Sequence, residues 1–130
     1  MSYIFVIDDD EDFLNVVAKV LNGEGHEVAV ELSLKNAVAK MEQNKPDLII
    51  LDVMFPENSL GGFELARKLK KNNEKLKDVP ILMLTAINQK YPFDFTDKDI
   101  DEDWLPVSDF LEKPINLDEL KKKVQEILQR

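Results

Sequence analysis

Tyr3-Ile4-Phe5-Val6-Ile7 is an unbroken run of β-branched, aromatic and aliphatic residues that stops abruptly at Asp8-Asp9-Asp10. A strand with no polar alternation is covered on both faces, the habit of parallel sheets sandwiched between helices. The pattern recurs at Leu48-Ile49-Ile50-Leu51 and Ile81-Leu82-Met83-Leu84, each with a proline upstream and polar or small residues after it. Between the runs, apolar residues fall at helix spacing: Phe13, Leu14, Val17, Val20 and Leu21, then Leu34, Ala37, Val38 and Met41, then Phe63, Leu65, Ala66 and Leu69. Such alternation predicts an α/β fold, a parallel sheet with helices on both faces joined by right-handed crossovers.

Punctuation agrees with these elements. Asp10 and Asp12 put carboxylates into a first helical turn, where the helix dipole favours them, and Gly23 stands where a C-terminal cap is needed. Ser33 suits the start of the second helix, and Asn116 with Glu119 forms a capping-box-like start to a last helix ending near Arg130. Val28-Ala29-Val30 reads as a short second strand and Phe110-Leu111 as a short fifth. From Ile87 to Val107, Pro92, Pro106 and dense acids disfavour a long helix, although one or two turns fit Lys98 to Leu105.

The length, 130 residues, suits one domain spanning 1–130. The formal net charge of −9 is unevenly spread. Asp8, Asp9, Asp10, Glu11 and Asp12 hold one block; Asp94, Asp97, Asp99, Asp101, Glu102 and Asp103 hold another, offset by Lys98. Elsewhere 15 acids meet 16 bases, so the body is nearly neutral. An acidic chain repels phosphate backbones, so no direct nucleic-acid contact is expected from this stretch. The apolar runs are too short to span a bilayer, so no membrane partner is expected. Met1-Ser2 offers no basic leader segment, and the absence of cysteine fits a cytoplasmic location.

In open α/β sheets ligands bind beyond the carboxyl ends of the strands. Four places there carry chemistry: Asp8-Asp9, Asp52, Thr85-Ala86 and Lys113-Pro114. Three carboxylates brought together repel, and a hard divalent cation resolves the repulsion. Oxygen ligands with room for water suit Mg²⁺, and with no Cys and one His the softer metals have few partners. A carboxylate beside such an ion can attack phosphorus, the metal and a lysine neutralising the phosphoryl charge.

Val6-Ile7-Asp8-Asp9-Asp10, Asp47 to Met54 with Pro56 and Gly62, Pro80 to Ala86, and Phe110-Leu111-Glu112-Lys113-Pro114 together resemble the receiver domain of two-component response regulators. The resemblance covers essentially the whole chain in order. It implies a flavodoxin-like, doubly wound sheet of five strands in the order 2-1-3-4-5. It further implies phosphorylation of Asp52 by a histidine kinase or phosphotransfer protein, with Mg²⁺ held by Asp8, Asp9, Asp52 and the carbonyl of Met54. By the same resemblance Thr85, the Ala86 amide and Lys113 meet phosphoryl oxygens, Thr85 and Phe110 form the switch, the Lys113-Pro114 peptide is cis, and an unnamed downstream protein reads the result. Any catalysis is then limited to the chain's own phosphorylation and dephosphorylation.

Departures stand beside the match. Pro56 and Gly62 enclose an insertion of about two residues relative to the family spacing. Thr85 and Lys113 are also further apart than usual, the excess holding the second acidic block where the family carries its fourth helix, so that region is atypical. That segment reads as a solvated loop or as a docking surface anchored by Trp104-Leu105. Phe110 suits the core as well as a switch, and His26 reads as a solvated loop residue. Two rival functions remain open: a receiver-like scaffold that never takes phosphate, and a haloacid-dehalogenase-type phosphatase using the Asp-x-Asp of Asp8-Asp9-Asp10.

Overall fold

The unalternating runs become the inner strands of a parallel sheet in the computed structural model, which describes residues 2–53, 55, 61–86 and 108–129. Strand and helix alternate as β1 (Tyr3–Ile7), α1 (Glu11–Gly23), β2 (Glu27–Glu31), α2 (Leu34–Gln43), β3 (Leu48–Asp52), α3 (Gly61–Asn72), β4 (Ile81–Ala86), β5 (Asp109–Lys113) and α4 (Leu117–Leu128). The strands lie in the order β2-β1-β3-β4-β5, every neighbouring pair parallel. This is the flavodoxin-like order. The acidic segment 87–107 and the loop 56–60 lie outside the described residues, as does Met54.

Lack of alternation has a direct structural cause. Ile4 and Val6 pack against Leu14, Val17 and Leu21 of α1 and Leu120, Val124 and Ile127 of α4. Phe5 and Ile7, pointing the other way, join Ala37 and Met41 of α2 and Phe63, Ala66 and Leu69 of α3. Both faces of β1 are therefore interior, and each buried Leu, Ile or Phe contributes about 1.5–3 kcal/mol of transfer free energy. Every residue of β3 is buried. The edge strand β2 is half-wet, with Glu27 and Val30 exposed, and its sequence is accordingly more polar.

Caps follow the sequence with two shifts. Ser33 accepts from the Lys35 amide and Asn116 from the Glu119 amide, as expected. Asp10 lies one position before α1, where its carboxylate accepts from the Phe13 amide as N-cap, while Glu11 and Asp12 occupy the first turn. Gly23 is still helical; Glu24 caps α1, and Gly25, at φ 89°, takes the left-handed turn that a side chain would strain. His26 is half-buried rather than solvated: its amide donates to the Leu21 carbonyl and it lines a pocket with Leu21, Glu24, Lys121, Val124 and Gln125.

Candidate functional site

The sheet order reverses between β1 and β3, so the residues at their carboxyl ends face one crevice. Asp8 follows β1, Asp52 ends β3 and Lys113 ends β5. Asp8 is fully buried and Asp52 nearly so, at 6% exposure, whereas Asp9 is open to solvent. Carboxylate oxygens of Asp8, Asp9 and Asp52 lie within 4.8 Å of one another. Lys113 Nζ donates to Asp8 Oδ2 at 2.8 Å and stands 3.4 Å from Asp52 Oδ2. The other oxygen of Asp8 accepts from the Asp10 amide at 3.0 Å.

Burial sets the electrostatics. Loss of water, followed by the negative charge of Asp8, pushes the Asp52 carboxyl up to about 6 against the pull of Lys113. Burial also raises Asp8, although the Lys113 ammonium and the Asp10 amide resist it. Burial alone lowers Lys113, but its bond to Asp8 and the two carboxylate charges outweigh that, and its net displacement is upward. One ammonium cannot balance three carboxylates. The surplus negative charge and the all-oxygen donor set fit a hard divalent cation, with Asp9 exposed on the solvent side.

Backbone contacts hold Asp52 in place. The Val53 amide donates to the Leu84 carbonyl at 3.1 Å, and the Gly62 amide to the Val53 carbonyl at 2.8 Å. A β-carbon on Gly62 would lie 2.0 Å from the carbonyl oxygen of Asp52, so α3 reaches this strand end only because position 62 has no side chain. Beside β3, Thr85 and Ala86 finish β4 in register with Glu112 and Lys113 of β5. Their backbone thus reaches the same edge, while their side chains, like Met54, lie outside what the structure describes. Phe110 is half-buried and packs against the core on the α2 and α3 side. The Lys113-Pro114 peptide is cis.

Phe13 is the residue that sequence reasoning assigned to the core alone. Its ring centroid is 4.7 Å from Lys113 Nζ. The only sequence signal was an aromatic residue in the helical turn after Asp8, which means little until the fold brings the Lys113 ammonium to it.

The family model of the response regulator receiver domain matches residues 4–125. The chain belongs to the response-regulator receiver family. It is 35% identical over 127 residues to the alkaline phosphatase synthesis transcriptional regulatory protein PhoP of Bacillus subtilis, covering 98% of this chain and 48% of that protein. Against the phosphate regulon transcriptional regulatory protein PhoB of Pseudomonas aeruginosa the identity is 34%, covering 98% of this chain and 52% of the relative. The receiver thus spans about half the length of these relatives. Among solved structures, a two-component response regulator from Clostridium difficile superposes with a TM-score of 0.80 at 28% identity, over 100% of this chain and 98% of that one. The receiver's five parallel strands in the order 2-1-3-4-5 accord with that likeness. Among the described residues no helix is long and apolar enough to cross a membrane.

Proposed function

We propose that this receiver is a phosphoacceptor in which Asp52 takes a phosphoryl group from a histidine kinase or phosphotransfer protein. The observation that carries this reading is the position of Asp52: a nearly buried carboxylate at the end of β3, 3.4 Å from the Lys113 ammonium and clustered with Asp8 and Asp9. Asp8, Asp9 and Asp52, with the carbonyl of Met54, would hold Mg²⁺, which supplies positive charge for the transferring phosphoryl oxygens. An oxygen of Asp52 forms the new bond to phosphorus as the bond to the donor's imidazole nitrogen breaks, and that nitrogen keeps the bonding pair. Lys113 then exchanges its contact with Asp52 for a phosphoryl oxygen. Thr85 and the Ala86 amide meet the remaining oxygens, and the movement of Thr85, coupled to Phe110, biases a surface that a downstream protein reads.

Asp10 speaks against a dehalogenase-type phosphatase, because its carboxylate caps α1 instead of facing Asp8 as a second acid. The net charge of −9 supports a receiver that makes no nucleic-acid contact itself, even though its relatives PhoP and PhoB are named transcriptional regulators. Intact mass measured after incubation with Mg²⁺ and acetyl phosphate tests the proposal. The expected result is the gain of one phosphoryl group, absent in Asp52→Asn; no gain in the wild-type chain would favour a receiver used only as a scaffold.

A further inference from the structure

We propose that Phe13 is a positioning residue for Lys113, its ring face holding the ammonium over the carboxylate cluster so that the lysine meets the phosphoryl group instead of solvent. This rests on the reading of Asp52 as phosphoacceptor. Lys113 carries a flexible four-carbon stem, and its side chain keeps 24% of its surface exposed, so solvent-facing rotamers compete with the site. Asp8 and Asp52 attract the ammonium from one direction, at 2.8 and 3.4 Å. The Phe13 ring supplies a further attraction, 4.7 Å from nitrogen to centroid, well inside cation–π range.

The two kinds of contact respond differently when Asp52 changes. A hydrogen bond to a carboxylate is directional, so the N–H of Lys113 that turns from Asp52 to a phosphoryl oxygen must realign. Attraction to the negative face of a ring tolerates lateral movement, so Phe13 keeps its hold while the ammonium passes from one oxygen to the next. The ring is itself anchored. Its amide donates to the N-cap carboxylate of Asp10 at 3.1 Å, and its side chain packs against the core between α1 and α4. A leucine would fill much of the same space without the ring's charge distribution, leaving more of the lysine population facing solvent. The fraction of molecules ready to react, and the rate with it, falls by about threefold to tenfold.

The test compares phosphorylation rates, from intact mass with Mg²⁺ and acetyl phosphate, for wild type, Phe13→Leu, Phe13→Trp and a chain with trifluorophenylalanine at position 13. Fluorination keeps the ring's shape while draining its negative face. The fluorinated and leucine chains are expected to react about threefold to tenfold more slowly and the tryptophan chain at least as fast as wild type. A second readout needs no phosphate: the Lys113 side-chain protons of the unmodified protein show an upfield ring-current displacement by NMR, lost in Phe13→Leu. Wild-type rates in the fluorinated chain, or no ring-current displacement, overturn the inference while leaving the phosphoacceptor reading intact. A wild-type chain that gains no phosphoryl group overturns that reading and, with it, the role of Phe13 in transfer.

Discussion

Lys113 Nζ and Asp8 Oδ2 lie 2.8 Å apart, joining the last residue of β5 to the first residue after β1 across 105 positions of sequence. Asp8 has no exposed surface, so the ammonium is what makes its charge tolerable in the interior. Replacing Lys113→Met removes that partner and leaves Asp8 and Asp52 facing each other. At pH 7.5 without divalent cations the variant is expected to lose about 2–3 kcal/mol, less than a fully buried broken pair because the lysine is partly exposed. At pH 5 the loss should shrink, since both carboxyls take up protons more readily once the cation is gone. Urea denaturation at the two pH values measures this, and an equal loss at both would mean that the lysine supports the fold through packing, not charge.

Asp52 itself is costly to the metal-free fold. Its folded carboxyl titrates at about 6, whereas an unfolded aspartate titrates at about 3.9. Because the folded pKa is the higher, the folded state binds the proton more tightly. The resulting stability is complete below about pH 4 and is lost as the pH rises through about 6. Above that window the buried charge opposes folding. Asp52→Asn, which cannot ionise, is therefore expected to be about 1–3 kcal/mol more stable than wild type at pH 7.5 and to lose that advantage near pH 4. Thermal melts of both proteins in chelator across this range decide it; a constant difference would remove Asp52 titration as the cause.

The same surplus charge predicts what a cation does. Mg²⁺ added at pH 7.5 is expected to stabilise the fold by about 1.4 kcal/mol at ten times the dissociation constant, read as a rise in the unfolding midpoint, and chelator should reverse it. Asp8→Asn should abolish most of the rise. At pH 5 protons compete for Asp8 and Asp52, both of which are shifted upward, so the rise should be smaller. A Mg²⁺ effect that survives in Asp8→Asn would place the ion away from this cluster.

Some of this was legible in sequence and some was not, for reasons that differ by residue. β1, β3 and β4 stood out because burial on both faces favours unbroken apolar runs, and polar or small residues follow each run. β5 showed only as Phe110-Leu111, since Asp109, Glu112 and Lys113 are polar on a half-wet edge strand. Gly23 and Gly25 are equivalent in composition, and only the backbone shows that Gly25 makes the turn. Lys123 lies in the run Lys121-Lys122-Lys123, whose spacing does not reveal that it reaches Asp109 at 2.7 Å. The carboxylates were visible as candidates one by one. The proximity of Phe13 and Lys113 was not, because it depends on the folded chain bringing the first turn of α1 and the lysine at the end of β5 to one crevice.

Gly62 and Gly23 provide the sharpest contrast, as both are helical and only one is crowded. A β-carbon at Gly62 would meet the Asp52 carbonyl oxygen at 2.0 Å, the Val53 Cα at 2.7 Å and the Asp52 carbonyl carbon at 2.8 Å. All three are backbone atoms of the segment that carries Asp52, so no rotamer change relieves the clash; α3 or the strand end must move. Alanine gains about 1 kcal/mol of helix propensity over glycine, but overpacking costs about 1–3 kcal/mol and more when backbone must yield. Gly62→Ala is thus expected to be destabilised by about 2 kcal/mol in urea and to accept phosphate from acetyl phosphate more slowly than wild type. Gly23→Ala meets nothing within 4 Å and should gain about 0.5–1 kcal/mol with an unchanged rate. If Gly62→Ala were as stable and as reactive as Gly23→Ala, the approach of α3 to β3 would not be what holds Asp52 in position.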